Sequence, residues 1–560
     1  MGICLPADAL SPEARKGRWR TMPYETASLS GTLLTAGPET SAPDITYPLD
    51  TSGTHAISVG ILADSRAIVA VRLRLTGDDT FSVLKQPVVE GHGESIHELF
   101  WKVADLSQRG IEVGQMAVTA DMQDTYGSNA RFAYIKLVPL SSGEAEDWQA
   151  DRQDTSNLRI FAHNDSEGLN HDYRPATAEE IRRHIEPLME NDFSRLYLES
   201  GMGDLMYYFS RIGRVPTYDG LDDFALTYYR MGVEAWRTHR DNDEDPFQIA
   251  LDYAHEKGVE VHASYRVGGF HFPPMHDHFN HGDSFYKKHP ELRGTDRSGN
   301  ATPRISYAYP EAREFVVSLL SEIAEFPIDG ICLLYNRRPP LVEYEPPVVQ
   351  GFIDEFGEDP RRLNPLDARW LSYRARVLTQ FMREVREAMV AAAKEQGLSK
   401  PIEVSAVVGG TPEANLINGI DLEAWVEEGL VDTLIPYVSG STLESSTESW
   451  TDIRDIDYFL SLTSGTPCKL APNLMPRVQS PESFRERAAS LYAAGVEYLF
   501  LWDSDPRFRS QYGPHWNALR RLGHKDEIES WVRTGKPSLA SPVMPLVKLG
   551  DWDLTYATPG

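Results

Sequence analysis

The stretch Pro310–Asn336, PEAREFVVSLLSEIAEFPIDGICLLYN, places one helix directly before one strand. Proline at the first helical position opens the helix, because its φ is already set and an N–H there has no helical partner to lose. The apolar run Ile331–Leu334 predicts a short buried strand. That strand ends in a polar cluster of Tyr335, Asn336, Arg337 and Arg338, followed by Pro339, Pro340 and two glutamates, Glu343 and Glu345.

The same unit recurs on both sides. Upstream, LRIFA (158–162) precedes a helix in which Thr177 and Glu180 form a capping box and Ile181, Ile185 and Leu188 share one face. SRLYLES (194–200) is the second strand. Asp245 and Pro246 open a helix that ends at Gly258, and VEVHASY (259–265) is the third strand. Downstream come a long helix over 367–396, the strand IEVSAVV, a helix after Asp421 and the strand VDTLIPY. CKLAPNL, a helix capped by Ser480, and EYLFLWD complete the set. Strands alternating with helices over residues 158–536 predict a (β/α)8 TIM barrel. A doubly wound open sheet is the alternative, but no GxGxxG turn follows any strand.

The region before the barrel reads differently. HAISVGIL, AIVAVRLRL and FAYIKLVPL are β-branched runs separated by turn-rich pieces, which predicts an N-terminal β-sandwich over residues 1–141. Its expected role is accessory, with carbohydrate binding as one reading. Residues 142–157 are polar and weakly patterned and read as a linker; residues 537–560 read as an extended tail that packs on the sandwich.

Composition narrows the function. Of 560 residues, 41% are hydrophobic, and 83 Asp plus Glu outweigh 55 Lys plus Arg for a net charge of −28. That balance argues against nucleic acid or an anionic membrane as partner. The three cysteines, Cys4, Cys332 and Cys468, have no metal-like spacing, and no disulfide framework is expected. No stretch is apolar for long enough to span a bilayer, and the first residues, MGICLPADALSPEARKGRWR, lack an apolar leader core. The expectation is a cytoplasmic protein, or a secreted or periplasmic one if a leader was removed. The oligomeric state is left open.

In such a barrel the chemistry gathers where strands end. Those positions hold His163, Asn164, Asp165, Glu199, Asp204, Arg266, His271, Tyr335, Asn336, Arg337, Tyr437, Asn473, Trp502 and Asp503. Carboxylates, aromatics and hydrogen-bonding side chains on one rim suit a sugar site. The segments HND, GMGDLMYYFSRIG, YR, SFYKKHPEL, ISYAYPEAREFVVSLL, DGICLLYNRRPP, YEPPVVQGFIDEFGEDPRRL and GIDLEAWVEEGLVDTLIPY run in order over about 160–440. With them the chain resembles a bacterial family of glycosyl-hydrolase-like barrel proteins, loosely allied to glycoside hydrolase family ten. The resemblance implies a barrel acting on carbohydrate. It also marks two departures: Leu334 and Tyr335 stand where relatives often have an aspartate after strand four. Asn473 stands where many retaining barrel glycosidases keep a glutamate.

The resulting expectation is a glycoside hydrolase with a two-carboxylate mechanism and no cofactor. Glu345, in the proline-stiffened EYEPP loop, is expected to be the general acid, and Asp165 or Asp204 the second carboxylate. His163, Asn164, Glu199, Arg266, His271, Tyr335, Asn336, Arg337, Trp502 and Asp503 would position the sugar. With no acid on strand seven and the others across the mouth, the spacing leans towards inversion. Two alternatives stand beside this reading. One is a metal-assisted hydrolase using His271, His276, His278 and His281, although no HExxH spacing or cysteine pair supports a metal. The other is a carbohydrate-binding barrel without catalysis.

Overall fold

The computed structural model describes residues 9–63, 69–85, 94–115, 129–164, 177–182, 185–188, 191–218, 227–270, 284–336, 340–437, 454–474, 481–502, 519–535 and 542–554. The chain folds as a mixed α/β protein. Its parallel strands are β1 (Ile160–Asn164), β2 (Phe193–Met202), β3 (Glu260–Arg266), β4 (Gly330–Leu334), β5 (Glu403–Gly409), β6 (Thr433–Tyr437), β7 (Lys469–Leu470) and β8 (Leu499–Leu501). They line up as β7-β6-β5-β4-β3-β2-β1-β8, all pairings along this path parallel. The segment just after β7 also meets β8. Leu474 N–H donates to Phe500 O at 2.8 Å and Phe500 N–H to Pro472 O at 3.0 Å, around a parallel bridge between Asn473 and Phe500.

Period-two alternation sorts the strand residues. One face carries Phe161, Tyr197, Cys332, Leu334, Val407, Ile435, Ala471 and Phe500, which form a cluster of their own. The intervening residues, such as Ile160, Ala162, Leu196, Ile331, Leu333 and Leu434, pack with the helices. Two buried faces explain why the strands read as unbroken apolar runs rather than alternating ones. The helix signals hold locally. Asp245 accepts from Phe247 N–H at 2.9 Å and Gln248 N–H at 3.3 Å, and the helix Pro246–Glu256 follows. Pro310 sits in the first turn of the helix Pro310–Ile323.

The enclosed face has a charged floor. Arg195 is buried, with Glu260 at 2.8 Å and Glu403 at 2.9 Å, and its Nη1 donates to Tyr197 Oη at 3.4 Å and Thr433 Oγ1 at 3.3 Å. Lys469 reaches Glu403 at 3.3 Å. His262, fully buried above this floor, is pushed well down by burial and by the Arg195 and Lys469 charges, so it stays neutral. β4 opens on Gly330 because a Cβ there would stand 2.4 Å from the His262 ring.

The segment expected to be a linker is instead a helix, Ser142–Gln153. It has no buried residue, so no apolar stripe announces it; a capping box between Ser141 and Glu144 starts it. Ion pairs fasten it to the rest of the chain. Asp151 takes Arg521 at 2.7 Å and His524 at 2.9 Å, while Arg152 and His524 meet Asp192 at 3.3 Å and 2.9 Å.

Among the described residues, the chain before this helix supplies most of two β-sheets, one of eight strands and one of four. Both contribute to a single apolar cluster, from Trp19, Ile57, Leu99 and Phe132 on one side to Ile45, Leu73 and Ile111 on the other. The strand Val543–Leu549, near the end of the chain, completes the larger sheet by antiparallel pairing with Trp19–Thr26 and Ser95–Asp105. No helix among the described residues is long and apolar enough to cross a membrane.

Two outcomes follow. Arg195→Ala empties a buried site and removes the bonds to Tyr197 and Thr433, and should cost about 3 kcal/mol of unfolding free energy in urea titration. A change under about 0.5 kcal/mol would show the floor to be dispensable. Burial pushes His524 down, but Asp192 and Asp151 outweigh it and hold the imidazolium above the ordinary 6.5. The stabilisation is therefore complete below about pH 6.5 and lost as pH rises through the raised folded value. The urea midpoint should fall between pH 6 and 8.5, and His524→Gln should flatten part of that slope; an unchanged slope would rule His524 out as its source.

Candidate active site

The carboxyl ends of the parallel strands carry one connected tier of polar and aromatic side chains on the enclosed face. It begins with a bulge. The β2–β3 register shifts between Glu199 and Gly201, so Ser200 is an extra residue, and its Oγ donates to Ser264 O at 3.0 Å. Glu199 precedes the shift and keeps the alternation of Arg195 and Tyr197. Arg266, the last residue of β3, grips it with Nε at 2.6 Å from Oε1 and Nη2 at 3.0 Å from Oε2. This bidentate fork fixes both carboxylate oxygens.

The rest of the tier closes round that pair. Trp502 lies parallel to the His163 ring, centroids 4.0 Å apart at 16°, and meets Tyr437 edge-on at 5.3 Å. The Arg266 guanidinium stands 5.8 Å from the Trp502 ring. Trp502 N–H donates to Asn473 Oδ1 at 3.3 Å, and His163 Nε2 is 3.2 Å from Ser264 Oγ. Asn336 lies in a bend two residues past Leu334, the last residue of β4, and continues the parity of Cys332 and Leu334. Glu199 and Trp502 are 1% and 2% exposed, so this tier is nearly dry.

The structure thus brings together His163, Glu199, Arg266 and Trp502 from the expected set, and buries Asn336 two residues beyond the end of β4. Tyr437 and Asn473 were named at strand ends without being chosen, and Ser264 was missed altogether. Parity is the signal that finds them, since each lies an even number of residues from an enclosed strand residue. Trp502 is too enclosed to serve as an open stacking platform and instead backs His163.

Other expected residues go elsewhere. Asn164 is next to His163 and so falls on the alternation of Ile160 and Ala162, which face the helices. Tyr335 does the same: its Oη reaches Met382 Sδ at 3.1 Å and its ring lies 5.2 Å from Trp425. Asp204 is a brace, held by Arg214 at 2.7 Å and 3.0 Å and accepting Phe285 N–H at 2.6 Å. Asp165, His271, Arg337 and Asp503 lie outside the described residues, as do His276, His278 and His281.

Glu345 is corrected most. It is buried under the hairpin of Arg293–Thr295 and Ala301–Ile305, where Oε2 accepts the Glu343 N–H at 2.8 Å and the Ser306 hydroxyl also donates to it. A Cβ on Gly294 would stand 3.1 Å from its Oε1, so the hairpin approaches closely there. None of these neighbours belongs to the tier. Its prolines do stiffen the chain, but as the start of the helix Pro346–Phe356.

Comparison with known proteins adds the following. Residues 225–456 match the model of a family described as glycosyl hydrolase-like 10. This span holds Arg266, Asn336 and Tyr437 but not His163, Glu199 or Trp502. No curated protein matches the sequence. Solved structures that resemble the chain include the catalytic domain of β-amylase from Paenibacillus polymyxa, at 13% identity over 66% of this chain and 98% of that one, TM-score 0.40. A β-galactosidase from the psychrophilic Marinomonas ef1 matches at 12% identity over 68% of this chain and 62% of its own, TM-score 0.41. A β-galactosidase from the haloarchaeon Halorubrum lacusprofundi matches at 10% identity over 66% and 58%, TM-score 0.42.

The Glu345 correction has a measurable consequence. Burial raises its carboxyl above the ordinary 4.5, although the Ser306 hydroxyl and backbone amides pull it back. A raised acid favours the fold while protonated, so stability falls as pH climbs from about 4.5 through the folded value. Glu345→Gln should match the parent near pH 5 and exceed it at pH 8 in thermal unfolding. A loss of turnover of about a hundredfold with no stability change would return Glu345 to the role of acid.

Proposed function

We propose, from this tier and from the glycosyl hydrolase-like match, that the protein hydrolyses a glycosidic bond on the carboxyl face of a complete (β/α)8 barrel. The N-terminal sheets form an accessory β-sandwich in this reading. The observation that carries it is the Glu199–Arg266 fork: a carboxylate fixed in position at strand ends, in a buried polar tier.

Glycoside hydrolysis needs one carboxyl to protonate the leaving oxygen and a second, ionised, to activate water or attack the anomeric carbon. A carboxylate gripped through both oxygens suits the second task. Glu199 is therefore assigned as base or nucleophile, with Arg266 holding its orientation. The acid would come from Asp165 or Asp503, which follow β1, the neighbour of β2, and β8, the neighbour of β1. The inverting expectation rested on Glu345 as acid and is not carried forward. His163, backed by Trp502 and tied to Ser264, lies beside the fork and would bind a sugar hydroxyl.

One observation favours a second reading, a barrel that binds sugar without cleaving it. Among the described residues the tier holds a single carboxylate, and that one is already paired.

The test is product analysis on a glycan panel with purified parent and variants. Glu199→Gln should lower turnover at least about a hundredfold with the far-ultraviolet circular dichroism unchanged, and one of Asp165→Asn and Asp503→Asn should match it. Sugar binding with no product from the parent would select the second reading. Full activity in Glu199→Gln would defeat the mechanism.

A further inference from the structure

We propose that Asn336 is the specificity-determining residue of this site, an amide held unpaired so that it can receive a neutral donor–acceptor pair on the sugar. The inference rests on the carbohydrate reading above and adds which chemical feature the site selects.

Asn336 is 7% exposed, and neither its Oδ1 nor its Nδ2 has a hydrogen-bond partner among the described residues. A buried amide wants all its hydrogen bonds, and folded chains seldom leave both ends empty. Asn415, in the short helix Pro412–Ile417 that follows β5, shows what a purely structural asparagine does in this protein. Its Oδ1 accepts Gly409 N–H at 2.8 Å, and its Nδ2 donates to Gly409 O at 3.0 Å and Thr411 O at 2.8 Å. Asn336 does none of this, although apolar side chains of its size would fill the same space without the desolvation cost.

Its place explains what the amide is for. Tyr335 N–H still donates to Val407 O at 2.9 Å, so strand pairing continues through β4 up to the residue before Asn336. Leu334 pairs with Arg266, which puts Asn336 just beyond the fork, towards the carboxyl side of the sheet. A ligand group coming to Glu199 from that side passes it.

An amide offers one acceptor and one donor side by side, and no charge. The Glu199 charge is already met by Arg266. The matching ligand is thus neutral and presents a donor beside an acceptor. Two sugar features share that chemistry: a vicinal pair of hydroxyls, or the secondary amide of an N-acylated amino sugar.

The experiment uses the full chain with Asn336→Leu and Asn336→Asp. Thermal unfolding is measured alone and with cello-, xylo- and malto-oligosaccharides in one arm and chito-oligosaccharides in the other, and product formation is followed in parallel. Alone, Asn336→Leu should unfold at or above the parent temperature, because it removes an unpaired amide. The probe that shifts the parent should bind Asn336→Leu at least tenfold more weakly, and the arm in which this happens names the feature read. Asn336→Asp, which keeps the shape but loses the donor, should lose affinity for the same probe. Marked destabilisation of Asn336→Leu with unchanged binding overturns the inference and makes Asn336 structural, leaving the hydrolase reading intact. Unchanged cleavage by both variants overturns it equally. If no probe in either arm binds or is cleaved by the parent, the carbohydrate reading itself falls, and the inference with it.

Discussion

A buried guanidinium at the floor of the parallel sheet sets the terms for everything above it. Arg195 cannot lie dry without counter-charge, and it draws on β3 through Glu260, β5 through Glu403 and β6 through Thr433. Those contacts cross the enclosed face rather than running along it, so they fix how far apart strands of that face can stand. The buried Tyr197 hydroxyl, pushed up to about 12 chiefly by burial, joins this floor to Ser405 at 3.3 Å. Phe161, Cys332, Leu334, Val407 and Phe500 add an apolar cluster on the same face, from the level of Arg195 up to that of Arg266. The Glu199–Arg266 fork therefore rests on a dry base, where charge interactions are stronger than at a wet surface.

That layering also explains which side chains can act. A strand residue one position out of phase is delivered to the helices, whatever its chemistry. Tyr335 and Asn164 have the right functional groups and the wrong parity, whereas Glu199 and Arg266 have both. The bulge at Ser200 matters here because it resets the β2–β3 register immediately after Glu199. Beyond it, Gly201 pairs with Tyr265, whose hydroxyl donates to Gly203 O at 2.6 Å.

Much of the architecture was legible before any coordinates, because its signals are local. Proline after a capping residue, as at Asp245-Pro246, and apolar runs closed by polar clusters need no distant partner to be read. The failures share the opposite property. The helix Ser142–Gln153 is held by charges from Asp192, Arg521 and His524, so its stability is written elsewhere in the chain. Glu345 was placed over the mouth from a stiff loop, but the hairpin that covers it begins about fifty residues earlier. Asp204 looked available because the turn around it is glycine-containing; Arg214 and the Phe285 amide occupy it. A carboxylate's availability depends on what folds back onto it, and short-range pattern says nothing about that.

The same logic separates two kinds of polar burial in this protein. Asp192, Asp204, Arg195 and Asn415 are buried with their hydrogen bonds satisfied, and each ties together segments that would otherwise drift. Their cost is repaid within the fold. Asn336 is buried without that return, which is the observation behind the proposal that a ligand supplies its partners. Glu199 falls between these cases: its charge is met by Arg266, yet its position at the strand end, under the face where ligands enter such sheets, is more than a structural pair requires. A structural ion pair could stand at the floor, as Arg195 and Glu403 do. One built at the opposite end, linked through Trp502 to a stacked histidine, is what the proposed chemistry would require.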